Sequence, residues 1–307
     1  LNLKDFDDFM IMQNMLKKAD IFISNLAPGA VERMGLDAKR LRENNPGLIT
    51  CQINGYGNSG PAVQKKAYDF LVQGEVGLCS VTGTEESPSR VGVSITDLST
   101  GLTAFSGILR ALLQRGKNGK GTDLNISMFD VLADWMNMPL LAHRYMGGAP
   151  RRTGLQHSFI APYGAFSCKG GKEILLSIQN NREWVSFCHK VLNRGDLIED
   201  KRFQNNPERF ENRVLLDQIV NKTFSQLEIE KVIEKLNIAK IANAKLSSIE
   251  DLSDHLFLKN TSARIGGTDV SMAALPLGNK SDWPTLVPSL GEHSDLLRSE
   301  FSSEKIQ

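Results

Sequence analysis

The sequence predicts an α/β protein built on a parallel sheet, followed by a second, smaller domain. Three observations carry this. Short apolar runs at residues 19–26 and 48–53 alternate with helical patterns, as strands of a parallel sheet do. The chain has 307 residues, more than one hydrophobic core usually serves. Composition changes at Gly147-Gly148-Ala149-Pro150-Arg151-Arg152, which reads as a linker.

Taken in order, residues 5–18 place Phe6, Phe9, Met10, Met12, Met15 and Leu16 at helical spacing, for a helix lying on a sheet. Residues 19–26 form a short apolar strand, and Pro28-Gly29 marks the turn after it. A helix over 36–44 is stopped by Asn45-Pro46-Gly47, and 48–53 is the second strand. The loop Gly55-Tyr56-Gly57-Asn58-Ser59-Gly60-Pro61 follows. From Asp97 to about Arg115 runs a long helix with Leu102, Phe105, Ile108, Leu109 and Leu112 on one face. A Gly-rich turn over 116–121 ends it; 122–128 reads as a strand and roughly 130–146 as one further helix. Beyond the linker come strand signals at 163–167 and 174–178, then a mostly helical, charged stretch over 182–260. A last short helix follows Gly291-Glu292-His293. The expected division is a large domain over 1–145, a small domain over 150–262, and a return to the large domain over 270–307.

Charge excludes some functions. With 36 basic and 35 acidic residues, the chain lacks the global basic field that nucleic-acid binding uses. No apolar run approaches the length of a membrane span, and the N-terminus lacks a signal-peptide profile. Cys51, Cys79, Cys168 and Cys188 form no C-x-x-C pair and read as reduced thiols of a cytoplasmic protein. The five His residues show no zinc spacing, so no metal is expected.

Three places could carry chemistry. Asp97 ends the apolar segment Val91, Val93, Ile95 and opens a helix, at the sheet edge where α/β proteins put their sites. It reads either as an N-cap or as a carboxylate kept ionised by the helix start; residue type alone favours the cap. Asn25-Leu26-Ala27-Pro28-Gly29, with Arg33 beyond, is either an ordinary strand-to-helix turn or a phosphate cradle. Lys65-Lys66-Ala67-Tyr68-Asp69 is either a solvated charge run or part of a ligand site. No G-x-S-x-G elbow and no phosphate loop is present.

These pieces form an ordered set. Ala19-Asp20, Asn25, Pro28-Gly29, Arg33 and Gly35-Leu36 resemble family III CoA-transferases, the group of formyl-CoA transferase and the CaiB/BaiF proteins. Asn45-Pro46-x-Leu48-Ile49, Gly55-Tyr56-Gly57-x-x-Gly60-Pro61, Tyr68-Asp69, Asp97-x-x-x-Gly101, Gly119-x-Gly121 through Asp130, and Leu290-Gly291-Glu292-His293 continue the resemblance. It implies a Rossmann-like large domain, a smaller α+β domain and an interlocked homodimer. It implies that Asp97 is the nucleophile. Its carboxylate would take the acyl group of an acyl-CoA as a mixed anhydride, then carry CoA as an aspartyl thioester to an acceptor carboxylic acid. Backbone N–H groups near Asp97 would stabilise the oxyanions. The thioester's free energy is kept, so coenzyme A serves as a substrate thioester and no permanently bound cofactor is implied.

Residues matching the family's CoA contacts are Leu1, Asn2, Leu3, Lys4, Asn25, Leu26, Ala27, Arg33, Lys66, Tyr68 and Asp69. Related acyl-CoA racemases place a His at position 68 as a base; a phenol, with an ordinary pKa of about 10, serves poorly. Tyr68 therefore favours transfer over racemisation. The segment from Arg152 through His157 to Gly164 resembles the branch acting on short dicarboxylates, with succinyl-CoA as the donor. Arg152 or His157 could meet the second carboxylate, or both could be structural. Two departures stand out. The family pattern opens with a strand upstream of the residues matching Leu1 to Lys4, so an N-terminal strand is expected to be missing and a truncated, inactive CoA-binding homologue is the competing expectation. Asn181 replaces the more usual Asp.

Overall fold

The computed structural model describes residues 1–276 and 286–302. The chain divides into two compact units. One comprises Leu1–Thr82, Pro88–Pro150 and the chain from Asn260 onward; the other comprises Gly83–Ser87 and Arg151–Lys259.

The first unit begins with α1 (Phe6–Lys18), whose first turn is closed by Asp5 accepting from the Asp8 N–H at 3.1 Å. Then come β1 (Ile21–Ser24), α2 (Ala30–Arg33), α3 (Ala38–Asn44) and β2 (Ile49–Asn54). They are followed by α4 (Asp69–Glu75), α5 (Leu78–Val81), α6 (Ile95–Asn118), β3 (Asp123–Ser127), α7 (Met128–Trp135) and α8 (Asn137–Tyr145). The strands pair in parallel in the order β1-β2-β3, with Ile21 opposite Ile49 and Cys51 opposite Leu124. One face of the sheet is covered where Phe22 packs against Leu16, Val31, Leu36, Leu41 and Leu48. The other meets α6, where Ala104 and Ile108 pack on Cys51 with Ile53, Leu124 and Ile126 around them.

Glycine sets the crossing from α6 into β3. Gly119 ends the helix in the left-handed region at φ 71°, returning its N–H to the Arg115 carbonyl. Gly121 then passes so close to β2 that a Cβ would lie 1.9 Å from the Leu48 carbonyl oxygen. No other residue fits there.

Two helices depart from the sequence expectation. The apolar residues of α6 do not share one face: Ala104, Ile108 and Ala111 are buried, while Leu98, Leu102, Phe105, Leu109 and Leu113 form a second row 45–73% exposed. A helix apolar on two sides has more hydrophobic surface than this sheet can cover. The stretch expected as one helix over 130–146 is two, breaking at Met136 three residues before Pro139, which has no N–H to continue the ladder.

The second unit is an antiparallel sheet, β4 (Tyr163–Ser167), β5 (Glu173–Ser177) and β6 (Ala242–Lys245), in that order. Its helices are α9 (Asn181–Ser186), α10 (Asp196–Glu199), α11 (Asn206–Glu211), α12 (Arg213–Phe224), α13 (Ile229–Ala239) and α14 (Ile249–Ser253), with α9 continuing through wide π turns to Leu192. Phe166, Ile174, Leu176, Trp184, Phe187, Phe203 and Phe224 build the core. Arg209 is buried among them, and a buried cation needs partners. It donates to the Ala161 and Phe203 carbonyls at 3.0 and 3.1 Å and to Asn181 Oδ1 at 3.3 Å, which gives Asn181 a structural role.

The chain from Asn260 forms a third sheet, ordered β8-β7-β9, from β7 (Asn260–Ile265), β8 (Thr268–Ala273) and β9 (Leu286–Val287). Sequence reading missed the β7–β8 hairpin, which turns on Gly266-Gly267, both at positive φ. The last helix, α15 (Ser294–Phe301), returns to α1, where Arg298 Nε and Nη2 grip Asp8 at 2.7 and 3.0 Å. Asn14 adds a bond to the Phe301 carbonyl at 3.0 Å.

Candidate active site

Asp97 does not end a strand. Residues 88–94, with Pro88 and Gly92 among them, run as irregular chain into α6, and Asp97 is the third residue of that helix. Ser94 holds the cap position without a side-chain bond. The capping acceptor comes instead from α4: Asp69 Oδ1 accepts from the Thr96 N–H at 2.8 Å, and the Asp69 carbonyl accepts from Thr96 Oγ1 at 3.2 Å. The other Asp69 oxygen accepts from Gln73 Nε2 at 2.8 Å. Asp97 is thus freed of cap duty. Its side chain is exposed, and among the described residues neither its carboxylate nor its N–H has a hydrogen-bond partner.

Loss of water around the Asp97 carboxylate pushes its pKa up, and the negative charge of Asp69 adds to this. A carboxylate so raised is a better nucleophile once ionised.

The residues matched to CoA all belong to the first unit. Asn25, Leu26 and Ala27 leave the C-terminal end of β1 and are exposed. Beside them β2 gives way to Gly55, whose missing side chain lets Ala67 approach; a Cβ there would lie 2.4 Å from that of Ala67. This holds the Lys66–Tyr68 stretch against the strand end, with Tyr68 68% exposed. Arg33 curls back to the Pro28 carbonyl at 3.4 Å. Lys4, Arg33 and Lys66 are exposed and, among the described residues, form no ion pair. Leu1 to Lys4 make an exposed turn, pinned where the Asn2 N–H donates to Asp8 Oδ2 at 2.7 Å. Asp69 differs from the others, because internal donors occupy both its oxygens.

Arg152 and His157 lie in the second unit and are engaged there. Arg152 donates to the Thr84 and Glu85 carbonyls, each at 2.8 Å. His157 Nδ1 accepts from the Phe159 and Ile160 N–H groups at 3.1 and 3.2 Å, and its ring stacks on Tyr163.

Sequence reasoning missed Gln73, Tyr56 and Glu75. The Tyr56 hydroxyl donates to Glu75 Oε2 at 2.5 Å, and Lys65 Nζ reaches Glu75 Oε1 at 2.5 Å while lying over the Tyr56 ring. The Lys65 bond holds Glu75 below the usual carboxylate range. Nearby, Val76, Phe129, Met136, Leu140 and His143 line an apolar cavity of about 370 Å³.

A parallel sheet with an unencumbered carboxylate at a helix start beside its strand ends is suited to covalent acyl chemistry. The chain belongs to CoA-transferase family III, whose profile matches residues 1–294, and it is a CoA-transferase. It is 31% identical to an acetyl-CoA:oxalate CoA-transferase of Acetobacter aceti, over 99% of this chain and 79% of that protein. It is 33% identical to the human succinyl-CoA:glutarate CoA-transferase, over 74% of this chain and 51% of that one. A crystal structure of a CaiB/BaiF family protein from Brucella suis superposes with a TM-score of 0.81 at 26% identity, covering 98% of this chain and 80% of the other. No helix among the described residues is long and apolar enough to cross a membrane.

Proposed function

We propose that this enzyme moves CoA from succinyl-CoA to a short dicarboxylic acid through Asp97. The observation that carries the reading is the free Asp97 carboxylate, whose neighbours Asp69 and Thr96 have taken over the bonds that close the helix. Asp97 attacks the thioester carbonyl, giving a mixed anhydride and CoA thiolate. The thiolate attacks the aspartyl carbon, releasing the donor acid and leaving an aspartyl-CoA thioester. The acceptor carboxylate attacks that carbon, forming a second anhydride and thiolate. Thiolate attack on the acceptor's acyl carbon then gives the new acyl-CoA and restores Asp97. The unpartnered Asp97 N–H is a donor for the oxyanions. Lys4, Arg33 and Lys66, exposed and without an ion pair among the described residues, are available to the phosphates of CoA. Similarity to oxalate and glutarate transferases supports a dicarboxylic acceptor.

The outer row of α6 supports a homodimer in which Leu98, Leu102, Phe105, Leu109 and Leu113 are covered by a second copy. Four free thiols support a cytoplasmic location.

The test is incubation with succinyl-CoA, hydroxylamine trapping and mass spectrometry, followed by a panel of acceptor acids. A hydroxamate at Asp97, lost in Asp97→Asn, is expected. Transfer activity without modification of Asp97 would sink the reading.

A further inference from the structure

The nucleophile sits at the end of a segment with little structure of its own. Between Pro88 and Ser94 no helix or strand forms, and the Ile95 N–H bonds only locally, to the Val93 carbonyl. Something else must fix where α6 begins. Gln73, on α4, is fully buried and uses both halves of its amide there. Its Oε1 accepts from the Val91 N–H at 2.9 Å, and its Nε2 donates to Asp69 Oδ2 at 2.8 Å. Asp69 in turn accepts from the Thr96 N–H at 2.8 Å. One side chain thereby reaches both ends of the 91–96 segment, directly at Val91 and through Asp69 at Thr96, the residue before Asp97.

We propose that Gln73 is a positioning residue for the Asp97 nucleophile, holding the segment that leads into α6 so that the carboxylate meets the thioester carbon. The inference rests on the reading of Asp97 as the nucleophile. Only a neutral amide serves in the native arrangement, since Val91 presents a donor and Asp69 an acceptor. A glutamate would set carboxylate against carboxylate, and a leucine would strip the part-buried Val91 N–H and Asp69 Oδ2 of these bonds. Gln73 is fully buried and bonds only Val91 and Asp69 with its side chain, not Lys4, Arg33 or Lys66, so its effect is expected on the covalent step more than on CoA affinity.

The test uses the full chain and succinyl-CoA, reading the rate and KM of adduct formation at Asp97. Gln73→Leu and Gln73→Glu are each expected to slow adduct formation about 10- to 100-fold, with KM changed by no more than about twofold. Adding Asp69→Asn to Gln73→Glu reverses the donor–acceptor order while keeping every bond and the net charge. The introduced amide still accepts from Thr96 and donates to the introduced carboxylate, which accepts from Val91. The double variant is expected to regain roughly tenfold or more over Gln73→Glu alone. Three results overturn the proposal: single variants within about twofold of the parent rate, an effect confined to KM, or a double variant no faster than Gln73→Glu. A lowered unfolding midpoint with an unchanged rate per folded molecule also overturns it. If the parent enzyme transfers CoA without an Asp97 adduct, the nucleophile reading fails first, and the two failures are distinct.

Discussion

Replacing Gly121 by alanine tests whether the close approach of β3 to β2 is a condition of the sheet. The added Cβ would sit 1.9 Å from the Leu48 oxygen and 2.5 Å from its carbonyl carbon, both backbone atoms that cannot rotate away. An ordinary carbon–oxygen contact is about 3.3 Å, so the strands must part by about 1.4 Å. That movement opens the Gly121 N–H bond to the Pro46 carbonyl, at 2.8 Å, and strains the neighbouring Thr50 N–H bond to the Thr122 carbonyl, at 2.9 Å. Overpacking costs about 1–3 kcal/mol and a lost hydrogen bond about 0.5–1.5, so the loss is roughly 2–4 kcal/mol. Peptide-resolved hydrogen exchange is the suitable assay, because β4 and β5 of the second unit provide an internal control. Protection of β2 and β3 should fall roughly 30-fold or more. Gly116, within α6, has open space around its Cβ position, and alanine there should raise stability by about 0.5–1 kcal/mol. Unchanged protection in Gly121→Ala would refute the steric argument.

Partial loss of hydration and the charge of Asp69 raise the Asp97 pKa, and the nucleophile acts ionised. The acid limb of kcat/KM should therefore lie above the ordinary aspartate value of about 4, with the rate falling as pH drops through it; a limb at or below that value contradicts the assignment. Phe105→Glu together with Leu102→Glu, both on the exposed row of α6, should convert a dimer to monomers in light scattering, whereas a parent already monomeric would dismiss that interface. Arg298 holds Asp8 down to about 2, so their pairing stabilises the fold above the ordinary aspartate range and the contribution is lost as pH falls through about 2. The difference in unfolding midpoint between the parent and Arg298→Ala should be full near neutral pH and shrink with acid; a difference independent of pH would point to packing instead.

The parallel sheet was legible because its strands are short apolar runs bounded by Pro28-Gly29 and Asn45-Pro46-Gly47, where local chemistry and tertiary position agree. The two faces of α6 were not legible. Periodicity marks apolar positions without revealing which neighbour covers them, so Leu102 and Ile108 looked alike. Val91, Val93 and Ile95 read as an apolar segment at the sheet edge, whereas the segment, with Pro88 and Gly92 in it, runs as irregular chain. Gly266-Gly267 between alternating residues was a hairpin signal that went unread. At the site, Asp97 could be singled out from its motif, but the transfer of its capping role to Asp69 joins residues 27 apart. The Gln73 amide bridges an 18-residue interval by matching one donor and one acceptor, and such pairings leave no trace in spacing.

The grip of Arg298 on Asp8 joins residues 290 apart, around the whole of the intervening second unit. During synthesis at about 5–20 residues per second, α1 would wait on the order of 15 s or longer for α15 to appear. The second unit, built from a nearly continuous stretch, can collapse meanwhile. The first unit stays open on its α1 side until α15 has been made and Arg298 reaches Asp8. Its yield in the cell should therefore respond to chaperone supply and translation speed more than that of the second unit expressed alone.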